Sequence, residues 1–202
     1  MNTTTGIRRV DVTISGISLL VVHAFAEKAK KEIRDKQAKK AKRVKPERDT
    51  QAESDGAKYL RDGESGPECV PITAIKKAIV SAATAFDDLT KVGLRQAIFV
   101  DSLDNPGGAL APIVDADGKP MVGEMREDAV TIGINTRGLA YRPEYPIGWR
   151  VRLRVEFNSR LVSEEQLLAL IDQAGWGVGI CEGRPERSSA LGWGRFERVK
   201  ST

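Results

Sequence analysis

The chain predicts an α+β fold of the ferredoxin-like (RRM-like) split βαβ kind, an antiparallel sheet with both helices on one face. Three observations carry that reading. Cleanly alternating stretches lie near both ends of the chain, at 7–15 and 149–157. Two amphipathic helical stretches, near 72–86 and 164–171, are separated by strand-like sequence. With the polar excursions removed, the order is strand, helix, strand, strand, helix, strand.

Residues 7–15 (IRRVDVTIS) place Ile7, Val10, Val12 and Ile14 against polar neighbours, the signature of a half-buried strand ending at Gly16. From Phe25 to Ala41 the residues are mostly Ala, Lys, Glu, Arg and Gln, with neither Pro nor Gly, which predicts a helix. Its apolar positions, Phe25, Ala29 and Ile33, are sparse, so it should stay mostly solvated. Residues 44–69 are polar and rich in turn formers, an excursion or flexible connection. The stretch 24–69 therefore reads as a basic helical insertion after the first strand, within one domain spanning 1–202.

Pro71 opens a second helix, with Ile72, Ile75, Ala78, Ile79, Ala82, Ala83 and Phe86 at helical spacing and Thr73 as a candidate N-cap. Leu94–Val100 (LRQAIFV) reads as a strand, followed by a loop from Asp101 to Gly108. Ala109–Val122 reads as a hairpin turning at Asp115-Ala116-Asp117-Gly118, and Ala129–Ile134 as a short strand. In Trp149–Phe157 (WRVRLRVEF), Val151, Leu153, Val155 and Phe157 share one face, and Arg150, Arg152, Arg154 and Glu156 the other. Ser163 with Gln166 forms a capping box for a last helix carrying Leu167, Leu168, Leu170 and Ile171. A glycine-rich tail should supply a strand, a loop and a final strand around Gly194–Val199.

At 202 residues the chain suits one well-cored domain. Its formal net charge is only +4, but Lys28–Arg48 holds eleven basic residues against three acidic ones, so the rest of the chain is net acidic. Such a block attracts polyanions or forms a solvated face. Cys69 and Cys181 are the only cysteines and show no metal-ligand spacing, which predicts a reducing compartment rather than a disulfide framework. No apolar run approaches the roughly 18 residues of a membrane span. The expected location is the cytoplasm of a bacterial cell, with no cofactor and no membrane partner.

Residues 173–197 (QAGWGVGICEGRPERSSALGWGRFE) are the densest in chemistry. Gly177, Gly179, Gly192 and Gly194 stand among Arg184, Arg187 and Arg195, with Trp176 and Trp193 interleaved. Glycine allows close backbone approach, arginine offers planar donors to phosphate, and the indoles offer stacking faces. The expected phosphate contacts are these arginines and glycines with Lys39, Lys40, Lys42, Arg43, Lys76, Lys77, Arg142 and Arg152; Trp176 and Trp193 are the expected stacking residues.

VPITAIKKAIVSAA (70–83) resembles the signature of the RAMP superfamily of CRISPR-associated proteins, in which a Pro, a small hydroxyl residue and a Lys or Arg begin the first helix. Here these are Pro71, Thr73 and Lys76 or Lys77, with Ile72-Thr73-Ala74 where that family has Gly-Ser-Ser. GVGICEGRPERSSALGWGRFE (177–197) resembles the superfamily's C-terminal glycine-rich loop. The resemblance is strongest to backbone subunits, which line up along a guide RNA and carry an insertion after the first strand. Over nearly its full length the chain also resembles a group of proteins known from phage genomes, through SLLVVHAFAEKAKKEIRDKQ (18–37), MREDAV (125–130), YRPEY (141–145) and GRPER (183–187). These resemblances imply a non-enzymatic, phage-encoded protein that binds single-stranded RNA or DNA as a head-to-tail oligomer, alone or with other subunits of a nucleoprotein complex. A strand-annealing protein and a virion assembly protein without nucleic acid are the alternatives, with a metal-independent RNA endonuclease as a minor one.

Catalytic chemistry has weaker candidates. His23 is the only histidine and could act as a general base if a partner held it, whereas Asp35 reads as an i,i+4 partner of Lys31 and Lys39. No metal site is expected. The acidic sets Asp87-Asp88, Asp101/Asp104 and Glu124/Glu127/Asp128 follow no metal-loop pattern and read as caps and turns. The tripeptide Arg-Pro-Glu occurs at 142–144 and at 184–186, which marks Arg142 and Arg184 as phosphate or subunit contacts.

Overall fold

The structure is a computed structural model that describes residues 6–24, 48–132, 136–188 and 191–199. In chain order the first half contains β1 (Ile7–Gly16), β2 (Leu20–Val21), α1 (Thr50–Gly56), β3 (Tyr59–Leu60), β4 (Glu68–Pro71) and α2 (Ile72–Ala82). There follow α3 (Lys91–Ala97), β5 (Ile98–Ser102), β6 (Leu110–Pro112), β7 (Glu124–Ile132), β8 (Thr136–Tyr145), β9 (Arg150–Asn158), α4 (Glu164–Gln173) and β10 (Phe196–Arg198). The helix expected at 25–41, and with it Lys39, Lys40, Lys42 and Arg43, lies outside the described residues.

The alternation of β1 and β9 places them side by side, antiparallel, from Ile7 opposite Asn158 to Ser15 opposite Arg150. β10 joins the free edge of β1 and β5 that of β9, so the main sheet runs β10-β1-β9-β5. With α2 between β1 and β5 and α4 between β9 and β10, this mixed α/β architecture is consistent with a ferredoxin-like plan. Two three-stranded sheets, β2-β8-β7 and β3-β4-β6, add to it where one sheet alone was expected.

One face of the main sheet is covered. Val151, Leu153, Val155 and Phe157 of β9 are buried with Val12 and Ile14 of β1. They join one core with Ile72, Ile75, Ala78 and Ile79 of α2 and Leu167, Leu170 and Ile171 of α4. Burial of such side chains stabilises by about 1.5–3 kcal/mol each. Trp149, fully buried, donates its indole N–H to the Ser18 carbonyl at 2.9 Å and meets the Phe196 ring edge-on. The capping box forms as expected: Ser163 Oγ accepts from Gln166 N and the Gln166 side chain accepts from Ser163 N.

Several elements differ from expectation. Pro71, not Thr73, is the N-cap of α2; it makes no side-chain cap, and Ile72 N–H is satisfied by the Ala109 carbonyl. Leu94–Ala97 is helical because Thr90 Oγ1 caps Gly93 N–H, so only the second half of LRQAIFV forms a strand. The 115–118 turn forms, with Asp115 N–H bonded to the Lys119 carbonyl, but its arms share only the bridge between Val114 and Pro120. The strand expected at 129–134 is part of a long antiparallel pair, β7 with β8, and no strand precedes the glycine-rich loop. Within the stretch read as an excursion, Asp49 caps α1 and β3 pairs with β4.

Candidate nucleic-acid interface

The glycine-rich loop folds onto the chain itself. Glu182 N–H bonds to the Val21 carbonyl and Gly194 N–H to the Leu19 carbonyl at 2.8 Å, while Ile180 N–H reaches back to Gly194. Gly194 has φ 65°, and a Cβ there would lie 1.9 Å from the Ile180 carbonyl oxygen. Gly179 is likewise left-handed and buried, Gly192 is left-handed beside Trp193, and Gly177 lies in the turn 174–178 that extends α4. The close approach that glycine permits is thus made by the protein itself, by the Ile180 backbone at Gly194 and by Pro185 and Arg184 at Gly179.

This folding brings the loop's basic tip against the outer faces of α2 and α3. The inner residues of α2 are consumed by the core, so Thr73, Lys76, Lys77 and Ser81 face outward on adjacent turns. Lys91 and Arg95, one turn apart on α3, form a second wall, and Arg184, Glu186 and Arg187 the third. The groove between them is about 530 Å³ and is lined by six cationic side chains against one carboxylate. Among the described residues, Lys77, Lys91, Arg95 and Arg187 enter no ion pair. Lys76 lies over the exposed Phe99 ring at 4.5 Å. Glu186 accepts from the Ser81 hydroxyl and, at 3.3 Å, from Arg184 Nε. The Ser81 hydroxyl, with help from Arg184, holds its carboxyl below the usual carboxylate range against the opposing effect of burial.

A second cavity of about 260 Å³ adjoins the groove and shares Thr73, Lys77, Arg184 and Glu186 with it. It is lined as well by His23, Tyr59 and Cys181. Tyr59 donates its hydroxyl to the His23 carbonyl at 3.3 Å. Sequence reasoning found His23 without a companion; Tyr59 was hidden in the presumed excursion, and Lys91 in a segment given no helix.

Several arginines outside the groove are occupied. Arg152 forms a two-bond pair with Asp104, Arg154 pairs through two 2.8 Å bonds with Asp11, and Arg9 pairs with Glu156. The uncovered face of the main sheet is therefore laced with ion pairs instead of carrying a row of free cations. Arg142 is 7% exposed, held by Asp128 at 2.7 Å and by Glu182 at 3.4 Å. Trp193 is also buried, with the Arg126 guanidinium 4.4 Å over its ring, so neither residue faces the groove. Trp176 is 65% exposed, and Arg195 lies 4.1 Å over it. The acidic sets serve as partners: Asp88 accepts from Gln166, Asp101 from Ser102 N and Gly107 N, and Asp128 from Arg126 and Arg142. Among the described residues no group of three His, Cys, Asp or Glu side chains is placed to hold a metal ion, and no helix is long and apolar enough to cross a membrane.

No family model and no curated protein sequence matches the chain. Among solved structures it is similar to Cmr6 from Pyrococcus furiosus, at 10% identity and a TM-score of 0.46 over 98% of this chain and 100% of that one. It is also similar to a Cas6 product complex, at 14% identity and a TM-score of 0.33; the chain spans about half of that protein, 51% of its length against 94% of its own. Likenesses this weak concern the fold alone. With a Cas6 product complex among these neighbours, the expectation of a non-enzymatic protein does not stand.

Proposed function

We propose that the protein binds single-stranded RNA, with the sugar-phosphate backbone lying in the groove between α2, α3 and the glycine-rich loop. The observation that supports this most is the contrast in pairing. Cations on the open sheet face are paired with carboxylates, whereas Lys77, Lys91, Arg95 and Arg187 stand together without an ion pair to any of the described residues. Concentrated unpaired charge in a concave site attracts phosphates and releases their counterions on binding. The resemblance of 70–83 and 177–197 to RAMP motifs agrees with this placement, because both stretches line the groove.

Engagement of about five phosphates should give a slope of log K against log salt near −3.5. Titration of a labelled single strand across salt concentrations reads that slope, and a flat dependence would contradict the proposal. Assembly of several copies along one strand, phage origin and a split βαβ plan of the RRM kind belong to the same reading. Sedimentation with and without RNA tests the assembly.

A second reading is favoured by the adjoining cavity, which places His23 and Tyr59 beside Lys77 and the groove. A strand continuing past Arg184 would bring a phosphodiester to His23, where an imidazole can act as general base or acid in cleavage without a metal. Incubation of the protein with RNA in EDTA tests this. Cleavage that His23→Ala abolishes, with binding retained, is the expected result; cleavage unchanged in the variant would remove the reading.

A further inference from the structure

Glu186 is out of place in a site for phosphates. Among the described residues it is the sole carboxylate lining the groove, and it also lines the adjoining cavity, so a strand running from one to the other must pass it. It is not a side chain adrift: Ser81 binds one of its oxygens and Arg184 the other, and the side chain is 37% exposed. A carboxylate offers about four acceptor positions, so acceptor capacity remains for an occupant of the groove. A phosphate cannot take that place, since like charges at contact repel. What fits is a hydrogen-bond donor lying between two phosphates. Cations surround the carboxylate in both spaces: Lys77 and Arg184 line the groove and the cavity alike, and Lys91 and Arg187 the groove, so phosphates can lie to either side of a sugar held at Glu186.

We propose that Glu186 accepts a hydrogen bond from a ribose 2′-hydroxyl and thereby makes the groove selective for RNA over DNA. The inference rests on the reading of the groove as the RNA interface. Ser81 is the positioning residue: its hydroxyl fixes the carboxylate, so that reaching the sugar requires no further ordering of a long side chain.

Affinities for three oligouridines about twelve nucleotides long, a length suited to a single-strand site, would test it. One is RNA, one is DNA, and one is 2′-fluoro RNA, which keeps the charge, the base and the sugar pucker but lacks the donor. Wild-type protein should prefer RNA to 2′-fluoro RNA by about tenfold, the size expected of a hydrogen bond to a charged group. In E186A the ratio should fall to about one, because RNA loses its acceptor while the 2′-fluoro strand, which made no such bond, loses only a repelling charge. S81A keeps the charge and should also lower the ratio, which a purely electrostatic role would not allow. Thermal melting of each variant establishes that it is folded. A ratio unchanged in both folded variants, or a wild-type protein that binds RNA and 2′-fluoro RNA equally well, overturns the proposal alone. Wild-type protein that binds none of the three oligomers overturns the RNA reading and this inference with it.

Discussion

Gly194 shows at the scale of a single residue what the glycine-rich loop requires. Its φ of 65° and the carbonyl of Ile180 leave no room for a side chain. Gly194→Ala should cost about 2 kcal/mol or more, read by denaturant unfolding, because left-handed strain adds to a backbone clash. Gly192, with no neighbour nearer to a built Cβ than Arg195 at 3.9 Å, should lose only the strain contribution. The two cysteines offer a check on burial that is independent of RNA. Desolvation pushes the Cys181 thiol up to about 12 and the Cys69 thiol up to about 11. Thiolate is the reactive form, and at pH 8 it is the minor one for both residues. Alkylation should therefore run on the order of a hundredfold slower than for free cysteine at Cys69 and a thousandfold slower at Cys181, and reach the free rate in urea. Fast labelling of the folded protein would show that the region around them is more open than described.

Among elements, α2 and α3 carry the proposed function, and they were unequally readable. α2 announced itself by apolar residues three and four apart, and the motif it carries pointed to Lys76 and Lys77. α3 is seven residues long with Gly93 inside it, too short for periodicity to separate it from the strand that follows. Without that helix Lys91 had no place, and the second wall of the groove was invisible. β8 had no counterpart among the expected strands, and it runs through both Gly138 and Pro143. Pro143 is tolerated because β2 ends at Val21, opposite Glu144, and asks for no N–H at residue 143. The arginine row on β9 was legible, but its partners were not, since only the pairing register sets Asp11 opposite Arg154. Lys91→Ala and Arg187→Ala should each weaken RNA binding several-fold and reduce the salt slope by about 0.7. Arg154→Ala should leave both unchanged.

Across the whole molecule the two sides of the main sheet divide the work. One is covered by α2 and α4 and builds the core; the other is exposed and closed electrostatically by Arg–carboxylate pairs. The open face of such a sheet is a common single-strand platform. Here the unpaired cations lie on the helix side instead, where the loop meets α2 and α3. A triple variant of the groove, Lys77, Lys91 and Arg187 each to Ala, set against a triple variant of the sheet, Arg9, Arg152 and Arg154 each to Ala, puts that division to the test most directly. With single-stranded RNA at moderate salt, the groove variant should lose on the order of a hundredfold in affinity while the sheet variant stays within about threefold of wild type. Loss of binding in the sheet variant, with the groove variant unaffected and both proteins folded, would contradict the account.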